Sequence, residues 1–219
     1  MNNQIKEYRN KANDIFEDIG KFACYTRGIE FQKDSIVKLT AFKEDVISEK
    51  ELAAKSNDND LANAFASFEF VTEAMISEFK MWIELKEENY NSAWDSLVDA
   101  QSYASMSMQA HETNGHLENY IRRLEVLEKV LFPPQLFFSD RSVISESTCS
   151  ICGKSMDDCE HIKGKFYLGK QCYEVIKKIE TIYAYDIVKD PANKKCRALT
   201  FSENGNDTDL MTYRQNDFG

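Results

Sequence analysis

Four side chains of the kinds that bind metal ions lie within thirteen residues of one another: Cys149, Cys152, Cys159 and His161. A Cys-x2-Cys pair followed by glycine, here Gly153, lets two thiolates face one ion from a tight turn, because glycine adopts positive φ at little cost. Cys159 and His161 would complete a tetrahedral Cys3His set. Since four protein ligands leave no position for a water molecule, the spacing predicts one structural Zn²⁺ per chain.

The sequence does not decide which residue is the fourth ligand of this site. Cys159 and His161 have one residue between them, and their side chains differ in length, so both reach one ion only if the backbone bends at Glu160. Cys172, which we expect at the start of a short helix, is the alternative to either of them. A Cys-x2-Cys turn, a hairpin and a ligand on a first helical turn would give a treble-clef-like arrangement.

Two other interpretations of the cysteine cluster fit less well. A redox Cys-x-x-Cys pair normally lies between a strand and a helix of a βαβ unit, and this pair does not. Packing alone is also disfavoured, because four ligand-type residues in thirteen positions is dense for a protein with reduced thiols. Cys24 and Cys196 have no such neighbours, and we interpret them as small core hydrophobes.

The charge of the chain disfavours nucleic acid as its main partner. The sequence has 27 basic and 37 acidic residues, whereas phosphate contacts require Lys and Arg. Residues 150–200 are a basic exception, with ten basic and seven acidic side chains. A nucleic-acid-binding regulator would use the lysines of this segment, namely Lys163, Lys165, Lys170, Lys177 and Lys178. Several of these lysines would also balance the negative charge of zinc-bound thiolates, which needs no nucleic acid.

Hydropathy predicts a cytoplasmic protein without a membrane-spanning segment. No run of eighteen apolar residues occurs, and the start of the sequence, MNNQIKEYRNKAND, lacks the apolar core of a secretory signal. Thiols stay reduced in the cytoplasm, so the six cysteines favour metal ligation or packing over disulfides.

The elements that position the site differ between two parts of the chain. In residues 4–131 apolar side chains recur at three- and four-residue intervals, which predicts five helices in an antiparallel bundle. We expect a capped helix start after the polar run 56–60, and another at Ser92, which has Asp95 three residues later. The helix that follows Ser92 is predicted to end at Asn114 and Gly115, and Pro133 stops the fifth helix, which begins near His116.

After the prolines the pattern changes to short extended pieces. We predict strands at 136–138 and 143–144, a hairpin at 162–168 that turns at Gly164, a short helix over 171–179, and two strands at 182–188 and 196–201. The predicted organisation is therefore mainly α: a helical bundle over 1–132, a zinc-binding α+β module over 133–201, and a flexible acidic tail over 202–219.

Four segments together resemble a loosely defined group of uncharacterised bacterial proteins. They are LFPPQLFF from Leu131, CSICG, DCEHIKG, and YLGKQC ending at Cys172, and the block from Leu131 to Cys172 that contains them is about a fifth of the chain. The group joins a helical region to a Cys-x-x-Cys-Gly…Cys-x-His module. The resemblance implies a bacterial or phage-associated source and carries no established activity.

The sequence lacks the common catalytic motifs. A zinc deaminase would need His-x-Glu and Pro-Cys-x-x-Cys at the metal site, but His161 is followed by Ile-Lys and Thr148 precedes Cys149. His111 and His116 flank a predicted helix break and are interpreted as surface or capping residues. We therefore predict a non-enzymatic interaction or adaptor protein with another protein as its partner, and a homo-oligomer is compatible with this. The alternatives are a nucleic-acid-binding regulator and an accessory subunit of a bacterial defence or toxin system.

Overall fold

The computed structural model describes residues 3–23, 26–112, 117–203 and 206–216. The five predicted helices are present: α1 (Asn3–Gly20), α2 (Ile29–Lys55), α3 (Asn59–Lys86), α4 (Tyr90–Ala110) and α5 (Glu118–Leu131). None of the helices in the described part of the chain is long and apolar enough to cross a membrane.

Two helix starts test the predicted caps. The polar run 56–60 does cap α3, because the Asp58 carboxylate accepts a hydrogen bond from the Leu61 backbone N–H at 3.0 Å. The predicted capping box at Ser92 is wrong, since α4 already begins at Tyr90, after Asn89. The helix ends at Ala110, and the predicted stop at Asn114 and Gly115 lies outside the described residues, as does His116.

Helix α3 is the centre of the helical part. It packs against α2 on one side and α4 on the other, while α1 contacts α2 and α3, and α5 contacts α4. Small residues let α4 come close: the hydroxyls of Ser67 and Ser107 each donate to the other residue's backbone carbonyl, at 2.8 and 2.7 Å. Large buried side chains such as Phe65 and Phe68 fill the space between α3 and the α1–α2 pair.

Seven strands follow the helices in the described residues. They are β1 (Phe137–Cys149), β2 (Phe166–Tyr167), β3 (Lys170–Gln171), β4 (Glu174–Val188), β5 (Thr200–Glu203), β6 (Asn206–Asp209) and β7 (Gln215–Asn216). They form three antiparallel sheets, β1 with β4, β2 with β3, and β5 with β6 and β7. The pieces predicted at 136–138 and 143–144 thus belong to one long strand.

The long β1–β4 ribbon overturns the predicted helix over 171–179. Strand β4 pairs with β1 from Glu174 opposite Cys149 to Val188 opposite Phe137, so the predicted strand 182–188 is its second half. The pairing skips Lys177, Glu180 and Tyr183, one residue in every three. Such bulges bend and twist a strand. The bulges also accommodate apolar residues that lie three apart in the sequence. Without a structure, that spacing predicts a helix.

The β2–β3 hairpin turns later than predicted. Its turn residues are Leu168 and Gly169, with φ of 49° and 77°, the left-handed pair of a tight hairpin. Gly164, the predicted turn, also has positive φ but precedes the hairpin, where its N–H donates to the Cys172 carbonyl at 2.7 Å. A Cβ on Gly169 would approach Lys50 Cγ to 2.8 Å, so glycine is required there on both grounds.

The end of the chain differs from the predicted flexible tail over 202–219. Strands β6 and β7 lie within this range, and Met211 between them is buried in the cluster that contains Trp94. Of the predicted strand 196–201, Thr200 and Phe201 belong to β5 and pair with β6, while Arg197 forms an isolated bridge with Phe137 of β1. Residues 217–219 lie outside the described range.

The β1–β4 ribbon and the hairpin are attached to opposite ends of α3 and α4. At one end, Phe137 of β1 packs against Trp94 with ring centroids 6.0 Å apart. At the other end, Phe166 of β2 lies in a cluster with Ala66, and the Asn63 side chain of α3 accepts the Gly169 N–H at 2.9 Å. The chain between these anchors crosses the length of the helical part as a two-stranded ribbon.

Candidate metal centre

The first two cysteines are positioned by a turn at the end of β1. Cys149 is the last residue of the strand, and its N–H donates to the Lys154 carbonyl at 2.8 Å. Its carbonyl accepts the Gly153 N–H at 2.9 Å, and Gly153 has a φ of 71°. The turn places Cys152 on the exposed side and leaves Cys149 buried. The tight turn predicted from Cys-x2-Cys-Gly is confirmed.

The structure brings the four predicted residues together. The ligand atoms of Cys149, Cys152, Cys159 and His161 all lie within 4.8 Å of one another, so these residues are positioned to bind a metal ion. The Cys152 and Cys159 sulfurs are 3.6 Å apart, and the Cys159 sulfur is 3.3 Å from His161 Nδ1.

The backbone bend that the Cys159–His161 spacing requires is present. A short 3-10 turn, Met156–Asp158, leads into Cys159. Immediately after it, the His161 backbone N–H turns back to donate to the Cys159 sulfur at 3.2 Å. The side chains of both residues therefore face the same point despite the single residue between them.

The sulfur spacing fits a tetrahedral ion. Two thiolates bonded to one zinc at about 2.3 Å and at the tetrahedral angle lie about 3.8 Å apart. The measured 3.6 Å between the Cys152 and Cys159 sulfurs is close to that value. Sulfur and imidazole together favour zinc over hard cations such as Mg²⁺ or Ca²⁺.

The environment of the sulfurs favours a cation. Burial acts to raise the pKa of the Cys149 thiol, but hydrogen bonds from the backbone N–H groups of Cys152 and Ile151 and from the thiols of Cys159 and Cys172 together outweigh it, and the pKa falls to about 6. Burial, together with the neighbouring thiols of Cys149 and Cys152, raises the pKa of Cys159 to about 11. One thiolate therefore forms easily and opposes the next, so full ionisation of the cluster requires a bound positive charge.

A fifth donor lies beside the four. Cys172 follows β3, and the predicted helix start at this position is wrong. Its sulfur is fully buried and lies 3.7 Å from the Cys149 sulfur. Burial and the Cys149 thiol raise the pKa of the Cys172 thiol.

Tyr167 and two asparagines support the site, and the sequence-based prediction missed them. The Tyr167 hydroxyl accepts the Ile162 N–H at 2.9 Å, and its ring meets the His161 ring edge-on at 4.6 Å. The Asn59 side chain accepts the Leu168 N–H at 2.8 Å, beside the Asn63 contact with Gly169. The only signal in the sequence was that both asparagines lie one helical turn apart at the start of α3.

The other cysteine and histidine in the described part of the chain, Cys196 and His111, do not join the cluster. Cys196 is exposed, so its interpretation as a core residue is wrong. His111 lies at the end of α4, where its Nε2 is 3.2 Å from an Asp60 carboxylate oxygen, in agreement with a capping or surface role. Cys24 lies outside the described residues.

No protein-family model, curated protein sequence or solved structure matches this chain. The metal site is therefore inferred from the geometry of the four side chains.

Proposed function

We propose that this chain is a zinc-stabilised, non-enzymatic interaction protein, in which an antiparallel helical bundle carries a zinc-binding α+β module and presents the β1–β4 ribbon to another protein. The observation that carries this proposal is the exposure of the ribbon. Residues 176–183 of β4 are all exposed, and beyond them Tyr185 is 71% and Ile187 65% exposed. An isolated two-stranded ribbon is marginally stable in water, and clustered exposed apolar side chains are typical of interaction sites.

The charge of the ribbon supports a protein partner over a nucleic acid. The two strands have three basic and five acidic side chains. One of the lysines that would contact phosphate, Lys163, forms an ion pair with Glu174 at 3.2 Å. A surface of this composition lacks the basic excess that phosphate binding requires. Free strand edges can instead accept a peptide strand of the partner through backbone hydrogen bonds.

The metal has a structural role in this proposal. The donors outnumber the four positions of a tetrahedral zinc, and catalytic zinc normally keeps one position for water. A structural zinc contributes on the order of 10–16 kcal/mol of apparent binding free energy, against a net stability of about 5–15 kcal/mol for a typical domain. A metal ion could therefore supply stability to the ribbon, whose strands bury few apolar side chains.

Site-specific photo-crosslinking in source cells tests the proposal. A photoreactive phenylalanine analogue replaces Tyr185 in the ribbon, and in a matched control it replaces Val130, a 73% exposed residue of α5. We expect one protein to be captured at position 185 and not at 130. The purified partner should then bind the wild type and lose affinity for Ile187→Ser.

Three results would contradict the proposal. They are capture of nothing at position 185, equal capture at both positions, and unchanged partner affinity of Ile187→Ser. Capture of RNA or DNA at position 185 would favour the nucleic-acid-binding regulator, and the identity of a captured protein would decide whether the chain serves a defence or toxin system.

A further inference from the structure

We infer that the zinc ligands are four sulfurs, those of Cys149, Cys152, Cys159 and Cys172, and that His161 is a hydrogen-bonding neighbour of Cys159 instead of a ligand. This inference rests on the zinc site of the proposed function and changes its ligand set. It also changes which parts of the chain the metal joins.

Two sulfur–sulfur distances define the set. The Cys149 and Cys172 sulfurs are 3.7 Å apart, and the Cys152 and Cys159 sulfurs are 3.6 Å apart. Both values are close to the edge of a zinc–thiolate tetrahedron, about 3.8 Å. The two pairs share no atom, and the Cys149 sulfur lies within 4.8 Å of both sulfurs of the second pair. In the four-sulfur set the two pairs are opposite edges of one tetrahedron, and together they supply all four of its corners.

The contacts of His161 suit a residue outside the ligand set. Its Nδ1 lies 3.3 Å from the Cys159 sulfur, within reach of an N–H···S hydrogen bond. Its backbone N–H donates to the same sulfur at 3.2 Å. The edge-on contact with Tyr167 fixes the ring in this orientation. Donors that surround a metal-bound thiolate in this way orient it and stabilise its charge.

The position of Cys172 is held as firmly as that of Cys149. Its backbone N–H donates to the Lys165 carbonyl at 2.8 Å, and its carbonyl accepts the Gly164 N–H at 2.7 Å. Both sulfurs are buried, with Cys149 2% and Cys172 0% exposed. The hairpin that carries Cys172 is in turn attached to α3 through Asn63.

The four-sulfur set gives the metal a specific task. Cys149 is the last residue of β1, and Cys172 precedes Glu174, the first residue of β4 and the pairing partner of Cys149. One ion bound by both cysteines closes the end of the ribbon. With His161 as the fourth ligand, all ligands would precede the hairpin, and the ion would leave the start of β4 unattached.

Metal content and cobalt spectra test the inference. The variants are Cys172→Ser, Cys172→His and His161→Gln, with Cys196→Ser as the control at an exposed cysteine outside the cluster. We expect His161→Gln and the control to keep one zinc per chain, with affinity lowered by about 10–100-fold at most for His161→Gln. Cys172→Ser should weaken zinc binding more than His161→Gln does.

The Cys172→His variant keeps the inference falsifiable if Cys172→Ser fails to fold. Its cobalt(II) form should lose part of the sulfur-to-cobalt charge-transfer absorption, and its visible bands should move to shorter wavelength, because one thiolate becomes an imidazole. The His161→Gln spectrum should match the wild type. An unchanged spectrum for Cys172→His, or loss of zinc by His161→Gln alone, would overturn the inference. A wild type that binds no zinc would instead contradict the proposed site itself.

Discussion

The helical part and the β1–β4 ribbon are stabilised by different means. Helix α3 is buried on most of its surface, with Phe65, Phe68 and Phe79 each at most 1% exposed. Strand β4 has eight consecutive exposed residues, 176–183. The helical part is therefore stabilised by the burial of apolar side chains. In the proposed function the ribbon is held at its ends, by the Trp94 cluster at one end and by the hairpin and the candidate metal centre at the other.

The largest loss of stability should come from a substitution that creates a cavity in the core around α3. Phe68→Ala should lower the free energy of unfolding by about 3–5 kcal/mol, because a buried aromatic ring leaves a void. Phe31→Ala is the matched control, since that ring is 55% exposed, and it should cost clearly less. Urea unfolding followed by helical circular dichroism measures both. Equal losses would show that burial does not distinguish the two positions.

The contacts of Asn63 and Asn59 test how the β2–β3 hairpin is held to α3. Asn63→Ala removes the acceptor of the buried Gly169 N–H, and an unpaired buried donor costs about 1–3 kcal/mol. Asn59→Ala removes the acceptor of the exposed Leu168 N–H, which water can replace. Hydrogen exchange at residues 166–172 should therefore accelerate more in Asn63→Ala. The reverse order would mean that the hairpin is held elsewhere.

Two glycines with positive φ separate backbone strain from packing. Gly164→Ala should cost about 1 kcal/mol, since its φ is 88° and its added Cβ meets open space. Gly169→Ala carries the same strain, and its Cβ would also approach the Ala62 carbonyl oxygen to 3.1 Å. We expect a lower melting temperature for Gly169→Ala than for Gly164→Ala. Equal melting temperatures would show that the close approach of the hairpin to α3 at Gly169 adds no cost beyond the backbone strain.

The smallest effect concerns Asp209, in the segment where a flexible tail was predicted. Burial acts to raise its pKa, but the Thr212 backbone and hydroxyl, Asn91 and the Met211 N–H together hold the pKa below its usual value. The ionised carboxylate therefore stabilises the fold at pH values above its usual pKa. This contribution is lost as the pH falls through the lowered pKa.

Asp209→Asn should be slightly less stable than the wild type at neutral pH, and the difference should shrink in acid. Melting temperatures measured from pH 7 down to pH 3 test this. A difference that does not change with pH would mean that the Asp209 charge plays no part.

What the sequence could predict depends on how local each feature is. The helices follow from apolar spacing, and the Asp58 cap follows from residues within one turn of it. The cluster of Cys149, Cys152, Cys159 and His161 was found because its members are close in sequence.

The errors concern pairings between distant residues. The start of β4 lies in the predicted helix 171–179, because Ile176, Ile179 and Ile182 have a helical spacing in the sequence. The strand accommodates this spacing with bulges that depend on its pairing with β1. The contact between Asn63 and Gly169 joins residues 106 positions apart, and no short-range pattern indicates it. The position of Cys172 depends on the same hairpin, so sequence could name it only as an alternative ligand.

Hydrogen exchange with and without a zinc chelator tests the central claim most directly. We predict that chelation greatly accelerates exchange at 137–149 and 174–188, while the amides of α3 keep their protection, since the metal holds the ribbon and burial holds the helices. Equal acceleration in α3 and in the ribbon, or a ribbon that stays protected without metal, would contradict the account.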